Sequence, residues 1–434
     1  MRTEIPEGWT ESRMRQLGVL FGGSTPDTND SSLWGGDIRW LVPSEISGLQ
    51  DYHIFLCDTE SHLTQRGYDS CSTYLLPRGT VAVSSRATVG DCIVLARPTC
   101  TNQGFVSIVC NDNIYNLFLL YWIRHNRAYI ARFAAGTTFD EIGRRTFKNL
   151  RVRHPTDVTE QKAIARAIAA TDAAIASTEH SIAKAERLQR GMMQQLLSGR
   201  VKLDGTRRTQ GEFKEDSKLG LIPKEWIVEK GLKLAQKITK GQSPKWQGFD
   251  YAKSGMLFVT SENVRDGFLD LSAPKFLPLE FNEKIKSSEL RPNDILINLV
   301  GASIGRSCLF DSDYRPANVN QAVCVFRPKP GIVSRYLAYY LRLDSTRNRL
   351  LSSQVETARS NLSLGDVRRL KFALPQDEAE QVEIADRLHS MTELTDAKKQ
   401  KISALQLLKK SLMQNLFDGR IRLRVQSSTM EPIP

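Results

Sequence analysis

Apolar residues recur at three- and four-residue intervals through two long stretches of the chain. The first runs through Ile164, Ile168, Ile175, Ile182, Ala185, Leu188, Met192 and Leu196. The second runs through Ile384, Leu388, Met391, Thr395, Ile402, Leu405, Leu408, Leu412 and Leu416. This spacing predicts helices with a narrow coiled-coil-type seam rather than the wide apolar face of a core helix. Each stretch begins after a proline with Asp-x-x-Glu, Asp157 to Glu160 and Asp377 to Glu380. That is a capping-box arrangement, and its acids complement the positive end of the helix dipole. Each stretch closes on a glycine, Gly199 or Gly419, placed for a left-handed cap. Roughly forty residues make a helix of about 60 Å. One such helix is poorly buried alone; two similar seams can bury each other.

Outside these stretches the pattern changes. Short apolar runs such as Thr80–Val83, Ile93–Leu95 and Ile295–Ile297 lie between Gly, Pro, Asn and Asp breakers and read as strands. Residues 116–130 and 334–349 read as short helices. Each globular part is therefore α+β with irregular loops. The segment 204–218 is polar and reads as a mobile linker.

One unit is written twice. Ile5-Pro6-Glu7-Gly8-Trp9 returns as Ile222-Pro223-Lys224-Glu225-Trp226, and Gly23-Ser24-Thr25-Pro26 as Gly241-Gln242-Ser243-Pro244. Ser44-Glu45 matches Ser261-Glu262, Thr88-Val89-Gly90 matches Ser303-Ile304-Gly305, and Asn102-Gln103 matches Asn320-Gln321. From position 150 the offset locks at 220 residues, pairing Leu150 with Leu370, Glu160-Gln161 with Glu380-Gln381 and Gly199-Arg200 with Gly419-Arg420. Fifty residues without an insertion imply an element that cannot absorb one, as a long helix cannot. The expected organisation is a globular domain over 1–155, a long helix over 156–203, the linker 204–218, a second globular domain over 219–375, a second helix over 376–423 and a tail over 424–434.

Charge adds a direction. Of a formal net charge of +12, nearly all comes from residues 217–376, which hold 25 Lys and Arg against 15 Asp and Glu. A basic surface of that size suits a polyanion, nucleic acid first. The seven cysteines form no CxxC pair, so reduced thiols in or near a core are expected. The chain has no run of eighteen apolar residues, and its start lacks the pattern of a secretory signal, so a cytosolic location is expected.

Catalytic motifs are missing: the sequence has neither GxxxxGK[ST] nor HExxH, nor an Asn-Pro-Pro-Tyr-like tetrapeptide. Asp377-Glu378-Ala379-Glu380 resembles a helicase box only superficially and reads as an acidic first helical turn. Binding features are richer. Arg124, Arg127, Arg132, Arg144, Arg145, Lys148, Arg151 and Arg153 crowd the end of the first globular part, and Arg347, Arg349, Arg359, Arg368, Arg369 and Lys371 that of the second. Arg, Asn, Gln and Ser are the residue types that grip phosphate and read base edges.

Taken in order and twice over, these motifs resemble the specificity subunit of type I restriction–modification systems. The residues carrying the likeness are the two Ile-Pro-x-x-Trp openings, the Gly-x-Thr/Ser-Pro turns, Ser85–Gly90, Thr101–Gly104, the helix start Glu160–Ala165 and the helix end Gln195–Arg200. The resemblance implies two target-recognition domains, each reading half of a split double-stranded DNA site, with the two helices packed antiparallel as a spacer in a pseudo-twofold frame. A spacer of fixed length suits DNA readers about 34 Å apart. It further implies a non-catalytic chain in the prokaryotic cytoplasm, partnered by two methyltransferase subunits and by endonuclease/translocase subunits that carry S-adenosylmethionine, ATP and Mg chemistry. The candidate DNA-contacting residues are Arg86, Thr88, Asn102, Arg144, Arg145, Lys148, Lys240, Lys245, Ser303, Asn320, Arg359 and Asn361. Positions shared between the copies, such as Thr88, Asn102, Ser303 and Asn320, are expected to serve loop structure or backbone contact. Divergence is greatest in 47–75 against 264–289 and in 134–147 against 351–365, where base readout is expected, including by Arg144, Arg145, Arg359 and Asn361. The alternative reading is a coiled-coil adaptor whose globular domains bind protein; absence of salt-dependent DNA binding would favour it.

Overall fold

The computed structural model of the chain describes residues 5–86, 88–134, 141–357 and 361–423, with backbone alone over 353–357. The two long helices are Val158–Leu197 and Glu378–Phe417, 40 residues each. The chain folds as two compact units that divide inside both helices. One takes the chain up to Ser181 together with the stretch from Lys398, and the other is Ile182–Ala397. The domain edges expected at residues 155 and 375 fall inside these units rather than between them. The units divide mid-helix because the helix ends are built into the globular cores.

In the first unit a five-stranded sheet has the order Gly18–Gly22, Phe105–Cys110, Val81–Ser84, Cys92–Leu95, Phe55–Leu56. Val81–Ser84 and Cys92–Leu95 are buried at every residue, which accounts for their unbroken apolar runs. A three-stranded sheet, Ser61–Leu63, Trp34–Leu41 and Cys100–Thr101, adjoins it. Leu117 to Ile123 of the helix Asn116–His125 are all buried. That helix shares a core with Ile164, Ala165 and Ile168 of the first long helix and with Met413, Leu416 and Phe417 of the second.

The second unit repeats the plan. Its four-stranded sheet runs Ala235–Lys240, Val323–Pro328, Ile295–Asn298, Ser307–Leu309, beside the three-stranded sheet Phe276–Leu277, Met256–Val259, Ala317–Val319. The helix Ser334–Arg342 shares a core with Met193, Leu196 and Leu197 and with Ile384, Ala385 and Leu388. In both units the stretch expected as one short helix is two, Asn116–His125 with Arg127–Ala131 and Ser334–Arg342 with Asp344–Thr357.

The shared opening motif explains how each long helix is launched. Trp9–Arg13 pairs antiparallel with Arg151–Pro155, Trp9 opposite Pro155, and Trp226–Lys230 pairs with Lys371–Pro375, Trp226 opposite Pro375. Asp157 and Asp377 cap the helices by accepting from the backbone N–H groups of Thr159 and Ala379 at 2.7 and 3.0 Å. The next residues differ from the capping-box expectation. Glu160 takes a bidentate contact from Arg422 at 2.6 and 2.8 Å, while Glu380 accepts from Trp226 Nε1 at 3.3 Å and faces Arg208 at 3.7 Å. Each glutamate thus holds the segment that follows the other helix. Burial pushes the Glu380 carboxyl above its usual range, against the pull of the Trp226 bond and the Arg208 charge.

Gln161 and Gln381, 0% and 1% exposed, explain why Glu-Gln recurs at both helix starts. Gln161 accepts from Tyr115 N at 2.8 Å and donates to Pro155 O at 2.9 Å. Gln381 accepts from Val333 N at 3.0 Å and donates to Pro375 O at 3.0 Å. One buried amide therefore joins ladder, helix start and globular helix in each unit. Leaving such a group unpaired costs about 1–3 kcal/mol.

Within the first unit the helix contacts run in opposite sense, Asp172 to Lys409 and Ser181 to Lys398. Within the second, Gln189 meets Thr392 and Leu203 O meets Arg387. The pairing is antiparallel in each. Ile164, Ile168, Ile175, Ile182, Leu196, Ile384, Leu388 and Leu416 are buried, and Ile402, Leu405 and Leu412 are half-buried. Leu188 is a correction: it is 59% exposed, as is its repeat partner Leu408 at 55%. The middle of the seam is polar, with Thr171, Asp172, Thr178, Gln189, Thr395 and Lys409 buried, so apolar spacing alone misplaces the inward face there.

The linker is also folded. Phe213–Asp216 and Gly220–Pro223 form an antiparallel hairpin, Asp216 pairs with Lys371 at 2.7 Å, and the guanidinium of Arg208, its side chain 5% exposed, binds Gly199 O at 2.8 Å and Glu225. Polar composition reads as mobility, but these charges are paired.

Gly199 and Gly419 end the helices with φ of +66° and +68°, and a Cβ there would lie 2.2 and 2.4 Å from Pro223 and Pro6. Gly199→Ala and Gly419→Ala are each expected to cost about 2 kcal/mol or more through strained backbone and overlap. Chemical denaturation of the full chain checks this.

Candidate nucleic-acid interface

The repeated loop motifs come together in space. A Cβ on Gly23 would lie 2.1 Å from Thr101 O and Asn102 O, and one on Gly241 would lie 1.6 Å from Val319 O. The Gly-x-Thr/Ser-Pro turn is therefore pressed against the Asn-Gln turn in each unit. Asn102 Oδ1 accepts from Gly104 N at 2.9 Å and Asn320 Oδ1 from Ala322 N at 3.1 Å, the same side-chain-closed turn twice. Ser303 Oγ accepts from Asn298 Nδ2 at 3.1 Å, and the same amide donates to Ser261 O at 2.9 Å. Thr88 Oγ1 lies 3.3 Å from Ser47 Oγ. The shared polar side chains thus close their own turns, at Asn102 and Asn320, or take part in contacts between loops, at Thr88 and Ser303.

Many of the clustered arginines are engaged as well. Arg86 pairs with Glu141 at 3.0 Å, Arg127 with Asp91 at 3.1 Å, and Arg151 and Arg153 both with Glu11, at 2.7 and 3.4 Å. Arg124 donates to the carbonyls of Asp51, His53 and Cys92. In the second unit Arg347 pairs with Asp266, Arg369 with Asp366 and Lys371 with Asp216. Charge counting along the sequence overlooks these pairings, because most of the acids lie far away in the chain.

Arg144, Arg145, Lys148, Lys240 and Lys245 are exposed, without an ion pair among the described residues. Arg144 and Arg145 open the short helix Arg144–Phe147, with the Arg144 guanidinium beside Gly22. Lys240 ends the strand Ala235–Lys240, and Lys245 starts the turn Lys245–Gln247. Asn361 is exposed, and Arg359 lies outside the described residues.

Two further features carry no signal in the sequence. Trp246 is 86% exposed beside Lys245, and a lone Trp in a polar loop gives no signal of its exposure. The loops over 261–275 and 300–306 also surround a cavity of about 590 Å³ lined by Arg265, Lys275 and Arg306 with Ser261 and Ser303. Acids temper its charge: Lys275 pairs with Glu262 at 2.6 Å and Arg265 with Asp270 at 3.2 Å. Four cysteines are buried, Cys71 and Cys110 are half-buried and Cys57 is exposed; burial pushes the Cys92 thiol up to about 11. Among the described residues no His/Cys/Asp/Glu group could hold a metal ion, and no helix is long and apolar enough to cross a membrane.

Two copies of one α+β frame, alike in their turns and different in their exposed loops, define a modular recognition protein. A sequence profile of the type I restriction modification DNA specificity domain matches residues 6–187 and 237–407. The chain belongs to that family. The MjaIX specificity subunit of Methanocaldococcus jannaschii is 30% identical over 161 residues, a match spanning 37% of each chain. The putative MjaX specificity subunit of the same organism is 25% identical over 97% of this chain and 95% of its own. The EcoBI specificity subunit of Escherichia coli is 27% identical over 75% and 70%. Among solved structures, the type I restriction-modification S subunit of M. genitalium shares the fold at a TM-score of 0.58 and 14% identity, covering 96% of this chain and 97% of that one.

The two arginines beside Glu11 hold its carboxyl below the usual range, the Arg151 bond foremost. A depressed carboxylate contributes stability that is present above its unfolded pKa and lost as pH falls through the folded one. The wild-type thermal midpoint should therefore fall more steeply below about pH 4.5 than that of Glu11→Gln, with the two curves running parallel above it.

Proposed function

We propose that this chain is the DNA-reading subunit of a type I restriction–modification complex, each unit reading one half of an asymmetric bipartite site in double-stranded DNA. The observation that carries the reading is the twofold match of the specificity domain, over 6–187 and 237–407, on two copies that keep their turns and differ in their loops. Exposed cations such as Lys148, Lys240 and Lys245 would supply phosphate contacts, and the divergent loops, Arg144, Arg145 and Asn361 among them, would read base edges. The shared Thr88, Asn102, Ser303 and Asn320 would act by fixing loop shape, with any DNA contact through the backbone beside them.

The chain itself would perform no covalent step. Two methyltransferase subunits and the endonuclease/translocase subunits would bring S-adenosylmethionine, ATP and Mg to the site it selects, in the prokaryotic cytoplasm.

The decisive experiment maps the modified site of the assembled complex, then repeats it with residues 1–155 replaced by those of a relative. One half-site is expected to change; a change in both, or in neither, overturns the reading. For a phosphate contact, Lys245→Ala should weaken binding to all duplexes similarly and reduce the log–log salt slope by about 0.9. Titration at several salt concentrations checks it, and an unchanged slope would remove Lys245 from the interface.

A further inference from the structure

Three side chains meet where the first unit's globular part touches both long helices. The Tyr121 hydroxyl donates to Asp172 Oδ2 at 2.8 Å, and Lys409 Nζ lies 2.6 Å from Asp172 Oδ1. Asp172 is 1% exposed and Lys409 8%. The duplication puts Tyr339, Thr392 and Gln189 at the corresponding positions, 218 residues after Tyr121, 220 after Asp172 and 220 before Lys409. Those three meet as well: the Tyr339 hydroxyl lies 3.0 Å from Thr392 Oγ1, to which Gln189 Nε2 donates at 2.6 Å. One unit holds a buried acid with its base, and the other holds only neutral groups.

The difference bears on which helix pairs with which. Toward the helix ends the apolar positions do not tell the two helices apart: Ile164 corresponds to Ile384, Ala165 to Ala385, Met193 to Met413 and Leu196 to Leu416, all buried. The first long helix of one molecule could therefore pair, in the same antiparallel register, with the first long helix of another. That would set Asp172 against Gln189. Two second helices would likewise set Lys409 against Thr392. Each wrong pairing buries a charge with no counterion, a severe penalty, whereas pairing a first helix with a second sets Asp172 against Lys409 and Gln189 against Thr392. A single buried polar position is known to select helix partners in this way, at some cost in stability.

We propose that Asp172 and Lys409 are the identity code of the helix pair, selecting first-with-second pairing over like-with-like association with another copy of the chain. Replacing them by the second unit's residues, Asp172→Thr with Lys409→Gln, removes the buried charge from every pairing and makes this layer the same in all of them.

The test co-expresses two differently tagged full-length copies, captures one tag and quantifies the other. Wild type is expected at background and the neutral double variant about tenfold or more above it. The reversed pair, Asp172→Lys with Lys409→Asp, keeps complementarity within the chain and is expected to stay at background. Asp172→Thr alone, which strands Lys409, is expected to melt on the order of 10 °C lower, and below the double variant. Background capture by the neutral pair overturns the proposal, as does equal capture by the reversed pair. So does a neutral pair that fails to fold, since the same residues already serve in the second unit, or a single variant as stable as the double.

Discussion

Burial of the ends of two long helices inside globular cores is the constraint from which the rest follows. A helix of 40 residues with a narrow seam has little to hold it in water. Here its first turns pack with one core, through Ile164, Ala165 and Ile168, and its last turns with another, through Met193, Leu196 and Leu197. The second long helix does the same in reverse order. Once the ends are anchored, the middle can tolerate Thr, Gln and an ion pair at inward positions, as it does.

This anchoring also explains where the two copies agree. The Trp–Pro ladder, the buried glutamine and the capping aspartate form one launching device, used at Trp9 and again at Trp226. The divergent loops lie outside these launching contacts. The exposed cations lie on such loops and at strand and helix ends, so recognition can diverge while the frame stays fixed.

The duplication, both long helices and the α+β class were legible in the sequence because periodicity and a constant offset are local properties. The inward face at Leu188 was not, since the polar residues that replace the seam there gain their partners from a helix some two hundred residues away. Paired charge hid in the same way: Arg151 and Arg153 read as a basic patch until Glu11, across the ladder, is seen to hold them. The linker read as mobile because Asp216 and Arg208 have partners, Lys371 and Glu225, that composition does not reveal.

The contact of Arg422 with Glu160 and with the carbonyl of Glu7 ties a residue near the far end of the chain to the opening of the first globular part. The first unit is thus incomplete until the second long helix has been synthesised. On a ribosome the second unit can close before the first does, and a stop codon introduced just before residue 422 would strike hardest at the half of the protein made earliest.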